Sequence, residues 1–180
     1  MRIFAVALFL GLTACSATQV IQTGSPSVRI DSLYNYGASG RDLKLTVQGG
    51  AYGLPADVFA RMVEADLQVT LPRPPTHPTL TPGSSARPNF GLVFAFQPSP
   101  SLSGQDLCDG HAQPGQALQD ERVRVVAAFC VAGAAKTQVD GAVAASGPDD
   151  PAFRQLMAQM MLTLFRPDEF EGHRGPRVVP

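Results

Sequence analysis

The stretch ERVRVVAAFCV, residues 121–131, decides the fold together with the AGAA and KTQVDGAVAA segments that follow it. Its apolar residues recur at every second position, and side chains two residues apart share one face of a strand. These residues are Val123, Val125, Ala127, Phe129 and Val131. The segment 132–135 is small and turn-like, and 136–145 is compatible with a returning strand. The sequence therefore predicts an antiparallel hairpin with one apolar face.

Two more strands and two helices flank this hairpin in the sequence. Leucine and valine alternate with polar residues over 43–47, which is typical of a half-buried strand, and Gly49-Gly50 ends it. Residues 90–96 are uncharged and apolar on both faces, as in a central strand. Apolar residues repeat at three- and four-residue steps over 55–68 and 151–165, which predicts two amphipathic helices. Asp150 and Pro151 suit the N-cap and the first position of the second helix.

The predicted element order is β-β-α-β-β-β-α, with a short edge strand over 28–34 as its first element. This order indicates an α+β fold: a two-layer sandwich with a mainly antiparallel sheet of about four to five strands and both helices on one face. One domain is predicted over 28–165. The remaining segments are predicted as loops at 34–40, 70–89 and 98–119, and as a loose tail over 166–180.

The N-terminus has the features of a bacterial export signal. Arg2 supplies a positive charge, and residues 3–12 form an apolar run of about ten residues, half the length of about twenty that a membrane-spanning helix needs. The run ends in Leu12-Thr13-Ala14-Cys15. The alternatives from the residues alone are an ordinary secretory signal beside a chance cysteine, or a short buried helix.

This quartet resembles the lipobox of bacterial lipoprotein precursors. The resemblance implies cleavage of residues 1–14 and attachment of acyl chains, such as palmitate, to Cys15. It also implies a location on the periplasmic side of the cell envelope, and Ser16 favours the outer over the inner membrane. Residues 15–27, rich in Ser, Thr, Gln and Gly, are predicted to form a flexible lipidated tether.

The domain itself has only loose resemblances. Its element order is similar to that of DUF4136-type lipoproteins and of lipoproteins related to CsgG and to the TolB N-terminal domain. The segments 28–40 and 149–165 resemble parts of small alphaproteobacterial envelope lipoproteins. These resemblances imply an envelope location and carry over no site residues.

Composition and cysteine usage narrow the class of protein. The chain has 14 Lys and Arg against 15 Asp and Glu, and loss of Arg2 would leave a net charge of −2. No basic field is present to attract nucleic acid. With Cys15 lipidated, Cys108 and Cys130 remain as an even pair in an oxidising compartment, and we predict that they form a disulfide. The alternative is two free thiols.

The sequence contains no recognisable catalytic or metal-binding motif. His77, His111 and His173 fall in separate loops or the tail, and none has a second ligand one helical turn away. No G-x-S-x-G, S-x-x-K or H-E-x-x-H occurs. We therefore predict neither an enzyme nor a metal site, and no cofactor.

The methionines at 157, 160 and 161 resemble a soft copper ligand set in composition. Their helical spacing favours core filling or an adaptable contact surface.

Binding is the chemistry that the sequence favours. Tyr34, Asn35 and Tyr36 offer the aromatic and amide groups that are enriched in recognition loops, although both tyrosines would equally suit packing on the sheet edge. Arg87 and Asn89 end the proline-rich loop and are candidates to join them.

The leading hypothesis is a lipid-anchored periplasmic protein that acts by binding, as an accessory or scaffold subunit of an envelope assembly. Its partners would be the membrane, through the acyl chains, and a protein of the envelope. The alternative is a small-molecule or metal-binding lipoprotein that serves a transporter.

Overall fold

The computed structural model describes residues 18–22, 30–69, 75–111, 115 and 122–165. The signal segment 1–14, Cys15, His173 and the tail 166–180 lie outside these residues. The strands are β1 (Gln19–Gln22), β2 (Asp42–Gly49), β3 (His77–Thr79), β4 (Phe90–Phe96), β5 (Arg122–Val131) and β6 (Ala134–Ala144). The helices are α1 (Ile30–Gly37), α2 (Ala56–Val69), α3 (Gly104–Cys108) and α4 (Pro151–Leu164).

The predicted hairpin is present as β5 and β6, which pair antiparallel along their whole length. Its turn has only two central residues, Ala132 with φ 51° and Gly133 with φ 78°. Positive φ at both positions defines the type I′ turn, whose twist matches that of the flanking strands. The alternate residues of β5 face the main core, as the period-two pattern predicts.

The α+β prediction is confirmed, with a larger sheet than expected. Within the described ranges, six strands lie in the order β1-β6-β5-β4-β2-β3. The pairs β1–β6, β6–β5 and β5–β4 are antiparallel, whereas β2 runs parallel to both β3 and β4. Helix α2 follows β2 in the chain and provides the crossover that parallel strands need.

The main core lies between one face of the sheet and the helices α1, α2 and α4. Phe59 of α2 contacts Phe96 of β4 edge to face, with ring centroids 4.7 Å apart, and Phe153 of α4 lies beside both rings. The two predicted amphipathic helices therefore share one face of the sheet. Phe59, Val63 and Leu67 of α2 are fully buried, and so are the predicted core methionines Met157, Met160 and Met161 of α4.

The prediction of an edge strand over 28–34 and a loop over 34–40 is wrong, because α1 occupies Ile30–Gly37. Its buried residues are Ile30, Tyr34 and Gly37, spaced four and three residues apart as on one helix face. Asp31 lies in the first turn, where the helix dipole favours a negative charge. The strand interpretation failed because apolar residues stood on both of its supposed faces.

The prediction of a flexible tether over 15–27 is wrong for Gln19–Gln22. These residues form β1, which pairs with β6 from Val139 to Ala142 and adds an edge to the sheet. Val20 packs against the main core, and this apolar contact explains why so short a segment joins the sheet.

The two predicted long loops also contain short elements. β3 includes Pro78, which an edge strand tolerates because one side of its backbone needs no partner. α3 begins at a capping box in which the Ser103 hydroxyl accepts from the Asp106 backbone N–H while the Asp106 carboxylate accepts from the Ser103 N–H. α3 lies on the sheet face opposite the main core, where Leu107 packs with Val93, Val126 and Ala128. Within the described part of the chain, no helix has the length and hydropathy needed to cross a membrane.

We predict that Gly37→Ala destabilises the protein. A Cβ at Gly37 would lie 2.1 Å from Cδ1 of the Phe90 ring, so the ring or the helix must move. Overpacking of this kind costs about 1–3 kcal/mol, measurable by urea denaturation. Gly50→Ala is the matched control, because its Cβ would meet nothing within 4 Å, and we expect a change within about 0.5 kcal/mol. Equal stabilities of the two variants would contradict this packing.

Candidate functional site

Two of the residues predicted for binding meet on the surface, although they are 51 positions apart in the chain. Arg87 donates from Nε to the Tyr36 carbonyl at 2.9 Å and from Nη1 to the Tyr36 hydroxyl at 3.0 Å. Its Cζ lies 3.8 Å from the centroid of the Tyr36 ring. Tyr36 remains 58 % exposed. We call this pair the Tyr36–Arg87 site.

The loop that carries Arg87 is fastened to the start of β2 by Asp42. The Asp42 carboxylate accepts from the Gly83 backbone N–H at 2.7 Å, and the Asp42 N–H donates to Ser85 Oγ at 3.1 Å. Asp42 Oδ1 also lies 3.1 Å from His77 Nδ1. The Gly83 N–H, followed by His77 and Ser85, lowers the pKa of Asp42, so the carboxylate is ionised at neutral pH. This charge positions the loop and with it the Arg87 guanidinium.

The other predicted binding residues have different surroundings. Tyr34 is 4 % exposed, and its ring packs 4.3 Å from that of Phe165. Burial raises the pKa of Tyr34 to about 12. Of the two roles that the sequence left open, Tyr34 therefore packs in the core and Tyr36 lies on the surface. Asn35 is exposed on α1, and the Asn89 carbonyl accepts from the Ala132 N–H at 2.8 Å.

Asn89 belongs to a second feature, a cleft of about 380 Å³ on the sheet face opposite the main core. We call it the β2–β4 cleft. Lys44, Thr46 and Gln48 of β2 line it with polar groups, and Val93 of β4 adds an apolar surface. The alternating pattern predicts the polar face of β2 but not the cleft, because nothing in the local sequence indicates which segment forms its wall.

The wall of the β2–β4 cleft is the C-terminal end of α3, and a disulfide holds it. Cys108 and Cys130 are bonded, with their Cα atoms 5.6 Å apart, within the usual range for a disulfide. Gln105 donates to the Gly133 carbonyl at 2.9 Å and accepts from the Ala135 N–H at 3.2 Å. The predicted pairing of the two cysteines is therefore present, and it lies at the border of a cleft.

A metal site has no candidate among the described residues. In the ranges that the structure describes, no group of three His, Cys, Asp or Glu side chains could hold a metal ion. His77 contacts Asp42, and His111 is exposed after α3. The Tyr36–Arg87 site offers an aromatic face and donors, which suit recognition of another molecule.

Comparison with known proteins gives little beyond the fold. No protein-family model matches the sequence, and no curated protein is significantly similar to it. Among solved structures, the chain is similar to a PelC dodecamer from Paraburkholderia phytofirmans, with a TM-score of 0.45 and 17 % identity over 84 % of this chain and 99 % of that one. A variant of the same PelC gives a TM-score of 0.39 and 14 % identity over 85 % and 100 % of the two chains. Similarity of this strength carries no functional information for this chain.

We predict that alkylation without reduction leaves Cys108 and Cys130 unlabelled, as measured by mass spectrometry. Reduction should lower the free energy of unfolding by about 3 kcal/mol, because the bond closes a loop with a sequence separation of 22. The Cys108→Ser/Cys130→Ser variant, which should show the same loss and no further response to reductant, is the control. Two labels on the unreduced protein would contradict the disulfide.

Proposed function

We propose that this protein is a lipid-anchored, non-enzymatic binding protein on the periplasmic side of the cell envelope, where it serves as an accessory or scaffold subunit of an envelope assembly. The observation that carries the proposal is the Tyr36–Arg87 site. Tyr36 is more than half exposed, and its ring is held in one orientation by the Arg87 guanidinium. This guanidinium donates to both the carbonyl and the hydroxyl of Tyr36.

Such a pair is suited to binding for two physical reasons. Tyr and Arg are the residue types that most often dominate the binding energy of protein interfaces. The contact between them also restricts both side chains before any partner arrives, which lowers the entropy lost on association.

Strand β1, the described element that follows Cys15 in the chain, lies at one edge of the sheet, whereas the Tyr36–Arg87 site lies beside the middle strands. Gln19 is four positions after Cys15, so the chain between them spans at most about 14 Å, and lipidation of Cys15 would keep β1 close to the membrane. Tyr36 packs against Phe90 of β4, with ring centroids 5.8 Å apart, and strand spacing places β4 about 14 Å across the sheet from β1. The loop that carries Arg87 is bonded to Asp42 at the start of β2, the neighbour of β3. Membrane attachment at β1 would thus leave the site accessible to periplasmic partners.

The disulfide supports the proposed periplasmic location of the domain. Disulfides persist in the periplasm and are rare in the cytosol, where thiols are kept reduced. Confinement on a membrane would in turn raise the effective concentration of the domain near an envelope partner.

The second candidate function is a small-molecule binding lipoprotein that serves a transporter. The β2–β4 cleft favours it, because about 380 Å³ with a polar floor lies in the range of small-ligand sites. A ligand that raises the melting temperature of the protein, with loss of the effect in Thr46→Trp, would support this function over the first.

We predict that Cys15→Ala abolishes membrane attachment. Wild-type protein should fractionate with membranes and carry acyl chains on an N-terminal Cys15, both detectable by immunoblot and mass spectrometry. The variant lacks the thiol to be acylated and should leave the membrane fraction, whereas Ser16→Ala should not. An unacylated Cys15 in the wild type would overturn the lipid anchor.

We predict that Tyr36→Ala and Arg87→Ala each weaken partner binding by about 2 kcal/mol, roughly 30-fold, as expected for an interface hot spot. The free energy of unfolding should fall by less than this, about 1 kcal/mol, because the cation–π contact and the hydrogen bonds between the two side chains lie at the solvent-exposed surface. Crosslinking in intact cells followed by affinity purification measures the yield of each partner.

Arg61→Ala is the matched control, since Arg61 pairs with Asp57 on the exposed side of α2, and its partner yield should equal that of the wild type. Identical yields from Tyr36→Ala, Arg87→Ala and the wild type would exclude this surface as the binding site.

A further inference from the structure

Three polar side chains of β2 project into the β2–β4 cleft. Leu43 and Leu45 of this strand are buried in the main core. Because side chains alternate between the two faces of a strand, Lys44, Thr46 and Gln48 project from the opposite face, where the cleft lies. None of the three side chains makes a hydrogen bond or an ion pair within the described part of the chain. The cleft therefore presents an ammonium, a hydroxyl and an amide that are free to bind a ligand.

The glutamines around the wall of the cleft differ from Gln48, because they bond the chain itself. The Gln97 amide donates to one backbone group of β5 and accepts from another. The Gln105 amide does the same with the hairpin turn and the start of β6. These two side chains hold the loops and α3 in place. Gln48 has no such structural contact, which leaves both ends of its amide available.

Asp109 supplies a carboxylate on the opposite side of the cleft. Its Oδ1 accepts from Gln105 Nε2 at 3.0 Å, and the same nitrogen donates to the Gly133 carbonyl at 2.9 Å. The carboxylate thus lies beside Gly133, which also lines the cleft. The preceding residue, Cys108, is bonded to Cys130 of β5, so the position of this carboxylate relative to the sheet is fixed.

Lys44 and Asp109 have opposite charges and do not neutralise each other. No ion pair between described residues includes either of them. Lys44 is on β2, whereas Asp109 follows the cysteine that is bonded to β5, two strand positions away, or roughly 10 Å by strand spacing. A cleft with separated positive and negative groups is complementary to a ligand that has its own charges in the reverse order.

We propose that the β2–β4 cleft binds a short peptide with free ends. The carboxylate of the peptide would pair with Lys44, its amino group with Asp109, and its central amide groups with Thr46 and Gln48. An extended peptide of two or three residues spans about 7–10 Å, which matches the separation of the two charges. The volume of about 380 Å³ is in the range of sites for ligands of this size.

The cleft is less suited to a neutral sugar. Phe90 is the one aromatic residue among the described residues that line it, and the Phe90 ring packs in the main core beside Phe129. The aromatic face on which a sugar ring commonly stacks is therefore not offered. The inference rests on the second candidate function, ligand binding in the cleft, and depends neither on lipidation of Cys15 nor on the Tyr36–Arg87 site.

The test uses ¹⁵N-labelled full-length protein, purified as the cell makes it and kept in detergent. The side-chain amide signals of Gln48 are followed while the tripeptide Ala-Leu-Ala is added at constant pH and ionic strength. We expect them to shift to saturation, whereas the amide signals of Gln68, which bonds the Pro78 carbonyl beside α2, should not. The same tripeptide with an acetylated N-terminus and an amidated C-terminus should bind at least tenfold more weakly.

Peptides capped at one end test the two charged contacts separately. Asp109→Asn should weaken the free tripeptide roughly fivefold, as expected for an ion pair at an exposed rim, and should not affect the N-acetylated peptide. Lys44→Gln should weaken the free tripeptide to a similar extent and should not affect the C-amidated one. Asp57→Asn and Arg61→Gln remove the same charges on α2 and are the matched controls, with affinities equal to that of the wild type.

Two results would overturn the inference. Gln48 signals that do not move with Ala-Leu-Ala would exclude a peptide site, and equal affinities of the free and the doubly capped tripeptide would exclude recognition of the peptide ends. In either case, a ligand without peptide bonds that raises the melting temperature of the wild type but not of Thr46→Trp would retain the second candidate function with a different ligand class. The signals of the wild type decide the question even if a variant fails to fold.

Discussion

The contact of three phenylalanines holds this domain together. Phe59, Phe96 and Phe153 come from α2, β4 and α4, and each is at most 2 % exposed. Buried aromatic clusters combine a large apolar area with a preference for edge-to-face geometry, so they fix the relative positions of the elements that carry them. Because α2 and α4 meet over β4 in this way, they cover one face of the sheet, and the segments between the elements are left at its ends and on its other face.

The long elements were predicted from the sequence, because period-two alternation, helical periodicity or a continuous apolar run extends along each of them. The hairpin of β5 and β6 and the helix after Asp150 are examples. The short elements could not be found in the same way. β1 has four residues, and its position depends on a partner more than 110 positions away in the chain. α3 has a recognisable capping box at Ser103, but one turn of helix leaves no periodicity to detect.

The candidate site was likewise predicted from the sequence only in part. Tyr34 and Tyr36 are two positions apart, so in a helix their side chains point to nearly opposite sides, one into the core and one to the surface. An extended interpretation places them on one side instead, which is why the sequence left both roles open. The residue types at 36 and 87 were correctly chosen as candidates, but their contact depends on how Asp42 folds the loop over 83–87.

The two faces of the sheet are stabilised by different means. The main face is covered by the apolar residues of three helices, whereas on the opposite face the described residues form a small cluster around Leu107. A helix of five residues is not stable by itself, so α3 depends on this cluster, on Gln105 and on the bond between Cys108 and Cys130. That bond persists only in an oxidising compartment. The main core therefore does not depend on the redox state of the compartment, whereas the wall of the β2–β4 cleft is held in place only where the two cysteines are oxidised.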